Sequence, residues 1–194
     1  VNHIAKSIKA TERAADLTRQ LLAYSGKGKF ILEDIDLNRL VKDNVQMLEL
    51  SVPRTVTLQY ELGPIPPVIR GDASQIQQVI MNLIINAGEA IGSNPGRVTV
   101  HTNRIQLTNG DNEFWKYTNQ PLSPGEYAHL QIDDTGCGIN PESLARIFDP
   151  FFTTKFTGRG LGLAAVLGII RGHHGGIRIT TAEGKGARFD VVFP

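Results

Sequence analysis

Asp134 closes an alternating strand pattern and leads straight into the turn Thr135-Gly136-Cys137-Gly138. A second glycine cluster, Gly158-Arg159-Gly160-Leu161-Gly162-Leu163, opens an apolar helix further along the chain. An ionised carboxylate can accept a hydrogen bond from an exocyclic amino group, a contact of about 1.5 to 3 kcal/mol that separates adenine from a base presenting a carbonyl there. Glycine has no Cβ, so its backbone N–H groups can come close to phosphates at the positive end of a helix. Acid and glycine clusters together therefore describe a purine nucleotide pocket. Asp133 is adjacent, but successive strand residues point to opposite faces, so only one of these acids can enter the pocket. Asp134 leads the turn and is the one expected there, with Asp133 on a solvated face or stabilising the turn.

Upstream, Asn82, Asn86 and Glu89 fall at i, i+4 and i+7 of a helical pattern and share a face beside its apolar stripe. A neutral amide oxygen is a hard ligand suited to Mg²⁺, which keeps several waters and takes its other ligands from substrate phosphates. The same asparagines also read as a pair satisfying buried backbone or capping groups; the glycine clusters favour the metal. Between the clusters, Phe148, Phe151 and Phe152 crowd around Pro150 and precede Thr153-Thr154-Lys155, the pattern of an aromatic anchor beside a lid. Lys155 reads either as a point charge for phosphate or as an ordinary surface lysine. Gly158, Gly160 and Gly162 read as a phosphate cradle, the plainer reading being a flexible loop before a small-residue helix start. His173 and His174 end that helix; neighbouring histidines lack the i, i+4 geometry for a shared metal, and positive groups suit a helix C-terminus, so their role is structural. His3 lacks an adjacent acid, and Cys137, the single cysteine, is given no role.

The elements that must position these residues follow from periodicity. Residues 1 to about 25 carry the stripes Ile4, Ile8, Thr11, Ala15, Thr18, Leu22 and Ala10, Ala14, Leu17, Leu21, which predict a long bundle helix or an amphipathic helix lying on the main domain. Ser25-Gly26-Lys27-Gly28-Lys29 breaks it and separates a unit at 1–29 from one at 30–194. Asp36 caps a helix through Leu37, Leu40, Val41, Asn44, Val45 and Leu48, and Val56, Leu58 and Tyr60 alternate as a strand. Asp72-Ala73-Ser74-Gln75 has the form of a capping box and launches the asparagine helix, with Ile76, Val79, Ile80, Leu83, Ile84, Ala87 and Ile91 on its apolar face. Strands at 97–107 and 126–133 pair across a polar connection of unreadable purpose, a short helix runs from Asn140-Pro141 to Phe148, and 176–182 with 187–193 forms a hairpin. Helices mixed with mostly sequential strands predict an α+β fold, a two-layer α/β sandwich.

Composition sets the outer limits. At 41% apolar residues the chain of 194 can bury a real core, and twenty basic against nineteen acidic side chains argue against nucleic-acid binding or a polybasic membrane anchor. No apolar run reaches membrane-spanning length, and a single cysteine suits a reducing compartment, so a cytoplasmic site without direct membrane contact is expected. Val1 stands inside a helical pattern, so the chain reads as a piece of a longer protein.

With these residues in hand, 30–194 resembles the catalytic ATP-binding domain of sensor histidine kinases, within the Bergerat-fold group that includes gyrase, Hsp90 and MutL. Asn82-Leu83-Ile84-Ile85-Asn86 resembles the N box, Asp134 to Gly138 the G1 box, Phe148-Asp149-Pro150-Phe151-Phe152 the F box, Gly158 to Leu163 the G2 box and Gly184 to Phe189 the last glycine box. The resemblance implies a mixed sheet covered by helices and an ATP site of Asn82, Asn86, Asp134, Gly136, Gly138, Ile139, Thr154, Lys155, Gly158, Arg159, Gly160, Leu161, Gly162 and Leu163. It places Asn86 on Mg²⁺, gives Asn82, Asn86 and Glu89 the catalytic positions, and makes about 140–160 the ATP lid. Residues 1–25, especially 13–25, resemble the second helix of the dimerisation and histidine-phosphotransfer hairpin, which implies a homodimer, an acceptor histidine upstream, and relay to a response-regulator receiver domain. Three positions depart from the pattern. Asn82 stands where gyrase-like relatives carry a catalytic Glu, so a water-activating base is missing and transfer is favoured over hydrolysis. Glu89 stands where many kinases carry a phosphate-binding Lys, and Ala187 where the last box has Thr or Ser. A gyrase-like or Hsp90-like hydrolase and a non-catalytic nucleotide-binding module are the competing readings.

Overall fold

The computed structural model describes residues 31–155 and 160–194, the side chains of Asn112 and Trp115 excepted. The expected bundle helix within 1–29, together with Gly158 and Arg159, lies outside the described residues.

Alternation builds the central sheet. Strands β2 (Val56–Leu62), β4 (Gly96–Leu107), β5 (Gly125–Asp134), β6 (Gly176–Thr181) and β7 (Ala187–Phe193) stand in the order β2-β4-β5-β7-β6. β2 runs parallel to β4, and the other neighbours are antiparallel. Every second residue faces the core: Val98 and Val100, Leu130 and Ile132, and Phe189, Val191 and Phe193 are all buried. The residues between them, Thr99, His101 and Asn103, His129, Gln131 and Asp133, Arg188 and Asp190, form the outer face.

Two helices cover the inner face. In α3 (Ala73–Ile91), all seven positions of the predicted apolar stripe are buried, from Ile76 to Ile91, and in α5 (Gly162–Gly172) burial extends continuously from Ala164 to Ile170. A fully buried aliphatic side chain contributes about 1.5 to 3 kcal/mol, so this interface fixes where Asn82, Asn86 and the start of α5 stand relative to the sheet. The polar connection between β4 and β5 returns over the outer face, where its Phe114 joins Leu107, Tyr127 and Val192 in a second apolar cluster. Beneath it Asp190, 1% exposed, meets His129 Nε2 at 2.9 Å and Arg178 Nη2 at 3.3 Å. Burial pushes the Asp190 carboxyl up, but the hydrogen bond from His129 and the charge of Arg178 outweigh it and hold the group below the usual carboxylate range.

Four expectations need correction. The helix after Asp36 is two helices, α1 (Leu37–Asp43) and α2 (Val45–Ser51), because Asn44 turns its side chain on the backbone: Nδ2 donates to Leu40 O at 2.7 Å, while Oδ1 accepts from Gln77. A small antiparallel ladder of β1 (Glu33–Asp36) with β3 (Val68–Gly71) was not anticipated; its four residues a side are too short for alternation to stand out. Asp72 does cap α3, accepting from Ser74 N and Gln75 N, but the reciprocal half of the capping box is absent: the Asp72 N–H donates to His173 Nε2 at 3.0 Å. His173 is accordingly no cationic cap. Its Nδ1 donates to Ile169 O at 2.8 Å and its Nε2 accepts, which requires the neutral ring, and burial holds its pKa below the ordinary histidine value.

Candidate functional site

α3 presents Asn82, Asn86 and Glu89 on successive turns along the edge of its apolar face, with both asparagines half-buried and Glu89 exposed. Opposite them, the chain leaves the short helix α4 (Pro141–Leu144), reverses at Phe151 and re-enters at the start of α5. The reversal places Phe151 at φ 67° with its N–H donating to Gly160 O at 2.8 Å. Gly160 itself has φ 65°, and a Cβ there would stand 2.4 Å from the Phe151 carbonyl carbon, so only glycine closes this turn. The aromatic knot expected around Pro150 is not formed. Phe148 packs edge-on to Tyr117 at 5.0 Å, Phe152 lies under the Arg146 guanidinium at 4.6 Å, and Phe151, turned outward by its left-handed backbone, is 67% exposed.

Between these walls lies a cavity of about 320 Å³ lined by Asn82, Asn86, Glu89, Thr154, Lys155, Gly160, Leu161, Gly162 and Leu163 from the expected set. Ile85, Ile147, Phe152 and Thr153 complete it. Ile85 and Ile147 were missed because an apolar residue at helical spacing carries no signal separating pocket wall from core. The N-terminus of α5 opens into this space without a side-chain cap from Leu161, and its first intrahelical bond is Ala165 N to Leu161 O at 2.9 Å. Among the described residues no acceptor takes up the Gly162, Leu163 and Ala164 N–H groups, which stand at the positive end of the helix where an anion would be held. Asn82 reaches across, its Nδ2 donating to Gly162 O at 3.4 Å, and so ties α3 to this end of α5.

Asp134, Gly136, Gly138 and Ile139 form a separate group at and just beyond the end of β5 and do not line that cavity. Asp134 is buried at the end of β5, and its Oδ1 accepts from Gly136 N at 2.7 Å and Ala187 N at 3.3 Å. Among the described residues nothing donates to Oδ2. Burial raises the carboxyl above the ordinary range against the pull of these two N–H groups. Asp133, on the opposite face, pairs with Arg188 Nε at 2.6 Å. The turn is bound to α3 by Cys137 N donating to Ala90 O at 3.1 Å, and to the β6–β7 hairpin by Gly184 N donating to Cys137 O at 2.7 Å. At Gly138, φ is 70° and a Cβ would fall 2.1 Å from Ala182 O. Ala187 brings no hydroxyl to this end; Thr181 does, accepting from Ile139 N at 3.0 Å and donating to Gly186 O at 2.9 Å. Thr181 was not singled out beforehand, since a Thr at a strand end is common.

A cation already rests against the α3 oxygens: Lys155 Nζ is 3.0 Å from Asn86 Oδ1 and pairs with Glu89 Oε2. An amide oxygen and a carboxylate oxygen on one helix face suit Mg²⁺ delivered with phosphates, and among the described residues no His, Cys, Asp and Glu cluster would hold a metal by itself.

A two-layer sandwich carries the uncapped start of α5 facing the asparagines of α3, with a buried acid at the end of β5, and its family is that of an ATPase-type domain. Residues 71–194 match the family of "Histidine kinase-, DNA gyrase B-, and HSP90-like ATPase", and the chain belongs to it. Over 184 residues it is 35% identical to the sensor kinase CckA of Brucella abortus (strain 2308), covering 94% of this chain and 19% of that protein. It is 31% identical over 197 residues to the signal transduction histidine-protein kinase AtoS of Escherichia coli (strain K12), covering 99% and 29%. Among solved structures, the nucleotide-free catalytic domain of the histidine kinase ThkA matches with a TM-score of 0.65 at 26% identity, covering 84% of this chain and 95% of that one. Full-length ShkA in complex with AMPPNP shares the fold, with a TM-score of 0.73 at 21% identity over 100% of this chain and 38% of that one. The chain thus spans less than a third of the length of these two curated relatives.

Proposed function

We propose that this chain is the ATP-binding catalytic part of a two-component sensor histidine kinase, and that it transfers the γ-phosphoryl group of ATP to a histidine on a dimeric helical hairpin of the same protein, for relay to a response-regulator receiver domain. The observation that carries the reading is the convergence of Asn82, Asn86, Lys155 and the uncapped start of α5 on one cavity. Sensor kinases at 31% identity or above, and AMPPNP in the fold neighbour ShkA, support it.

Each group has a task within that reading. Asp134 Oδ2 accepts from the adenine amino group, and its burial makes the contact selective. The amides of Gly162, Leu163 and Ala164 hold phosphate oxygens. Asn86 and Glu89 would hold Mg²⁺ and so orient the phosphates, and the ion would supply neutralisation of their charge. In the transfer, the bond from phosphorus to the β,γ-bridging oxygen breaks, ADP leaves, and a bond from phosphorus to an imidazole nitrogen forms. The imidazole is the nucleophile, so no protein base need activate water, and Asn82, bound to Gly162 O, supplies none. Catalysis by this chain is then positioning and charge neutralisation. The domain acts in the cytoplasm, beside whatever sensor precedes it.

The test is incubation of the chain with γ-labelled ATP, with and without a separate hairpin carrying its histidine. Acid-labile label on the hairpin is expected. Steady ADP release without label transfer would instead assign a hydrolase.

A further inference from the structure

Among the described residues that line the cavity, Lys155 is the one ammonium, and its position is informative. It reaches α3 from the far wall and stands between the amide oxygen of Asn86 and the carboxylate of Glu89, three residues apart on the same helix face. Two hard oxygens with a positive charge between them is the arrangement a divalent ion adopts. We propose that Lys155 is a stand-in cation: in the nucleotide-free protein it latches the chain around Thr153–Lys155 onto Asn86 and Glu89, and a divalent cation arriving with ATP displaces it, freeing its charge for the phosphates. The inference rests on the Mg²⁺-ATP reading of this cleft.

Occupancy is exclusive. Mg²⁺ binds oxygen at about 2.0 to 2.1 Å, so an ion on Asn86 Oδ1 would meet an ammonium held 3.0 Å from the same oxygen as a like charge in near contact. The latch is also weak enough to yield. The Lys155 and Glu89 side chains are 35% and 49% exposed, and an ion pair this open shifts an equilibrium by about fivefold or less. Glu89 thereby gains a task that a lysine at its position could not perform, since a helix-borne lysine would repel Lys155. A second cavity, lined by Arg54, Gly92 and Ser93, also includes Glu89 and Lys155, so the pair stands between the nucleotide cleft and open solvent on the α2–β2 side.

Mn²⁺ titration of the nucleotide-free chain, followed by electron paramagnetic resonance of the free ion, tests this directly. Lys155→Met is expected to bind Mn²⁺ about two- to fivefold more tightly than the unaltered chain, the most that so exposed a pair can withhold, and Lys155→Met with Glu89→Gln no more tightly than Glu89→Gln alone. Arg54→Met, which removes a charge from the adjoining cavity without touching the latch, is expected to leave Mn²⁺ affinity within twofold. Unchanged Mn²⁺ affinity in Lys155→Met overturns the latch, as does an equal gain in Arg54→Met, which would mark a general field effect. Calorimetry of the unaltered chain with Mg²⁺-ATP separates the two failures. Absence of ATP binding removes the reading of the cleft, whereas ATP binding with an unresponsive Lys155→Met removes the latch alone.

Discussion

At the scale of single residues, the proposed function assigns recognition of the base and handling of the phosphates to separate groups. Asp134 is held by two backbone donors through one oxygen, and burial keeps its carboxyl above the ordinary range. The folded state therefore binds this proton more strongly than the unfolded chain does, and the group's contribution to stability declines as pH rises above its unfolded value of 3.8. Asp134→Asn keeps the oxygen that accepts from Gly136 and Ala187 but removes the buried charge. The nucleotide-free variant is expected to melt no lower than the unaltered chain at neutral pH, while ATP loses about 1.5 to 3 kcal/mol of affinity and its advantage over GTP. Competition calorimetry and thermal melts check both halves; retained preference for ATP would remove Asp134 from the base site. Asn86→Ala addresses the phosphate end. The ratio of ATP affinity with Mg²⁺ to that with a chelator is expected to fall towards one, with chelated affinity nearly unchanged, and an unaltered ratio in the same titration would exclude Asn86 as a metal ligand.

At the scale of elements, the two helices of the site are fastened at both ends. Asn82 joins α3 to the start of α5, and His173, at the end of α5, accepts from Asp72 N at the start of α3. Gly136, Gly138 and Gly160 were legible in sequence because a Cβ at each would run into backbone, and the stripe from Ile76 to Ile91 was legible because period and burial agree. The His173 link was not, since it joins residues 101 apart and a histidine near a helix end has a simpler reading as a positive cap. Thr181 and the ladder of β1 with β3 escaped for the same reason: their partners are set by tertiary packing alone. The link carries a pH signature. Burial lowers the His173 pKa, so the unfolded chain takes up the proton first; the stabilisation is fully present above the unfolded value of 6.5 and is lost as pH falls below it. Protonation at Nε2 would also oppose the Asp72 N–H directly. His173→Leu strands that N–H at a cost of about 1 to 3 kcal/mol. Its melting temperature is expected to be lower at pH 8 and to change less between pH 8 and 5.5 than that of the unaltered chain; parallel curves would show that another group titrates.

At the scale of the whole molecule, the proposed nucleotide site draws on segments far apart in sequence, α3, the β5 turn and the start of α5, with the β6–β7 hairpin bonded to the turn, which the sheet brings together only when all of its strands are in place. Nucleotide that touches several of these at once binds the folded state and not the unfolded chain, so it must raise the unfolding free energy by linkage. At a hundredfold excess over the dissociation constant the gain is about 2.7 kcal/mol, which for a domain of this size moves the melting temperature by about 5 to 11 °C. Under the proposed latch a divalent cation displaces Lys155 from Asn86 and Glu89, so the full shift is expected with Mg²⁺-ATP and a smaller one with ATP in chelator at the same concentration. Gly160→Ala breaks the reversal at Phe151, and its Mg²⁺-ATP shift is expected to fall by at least half even where the nucleotide-free protein remains folded. Differential scanning calorimetry across these conditions measures all the terms on one preparation. An equal shift with and without the metal would mean that phosphate and cation are bound independently, and the cleft would then be a nucleotide site without the coupling that transfer requires.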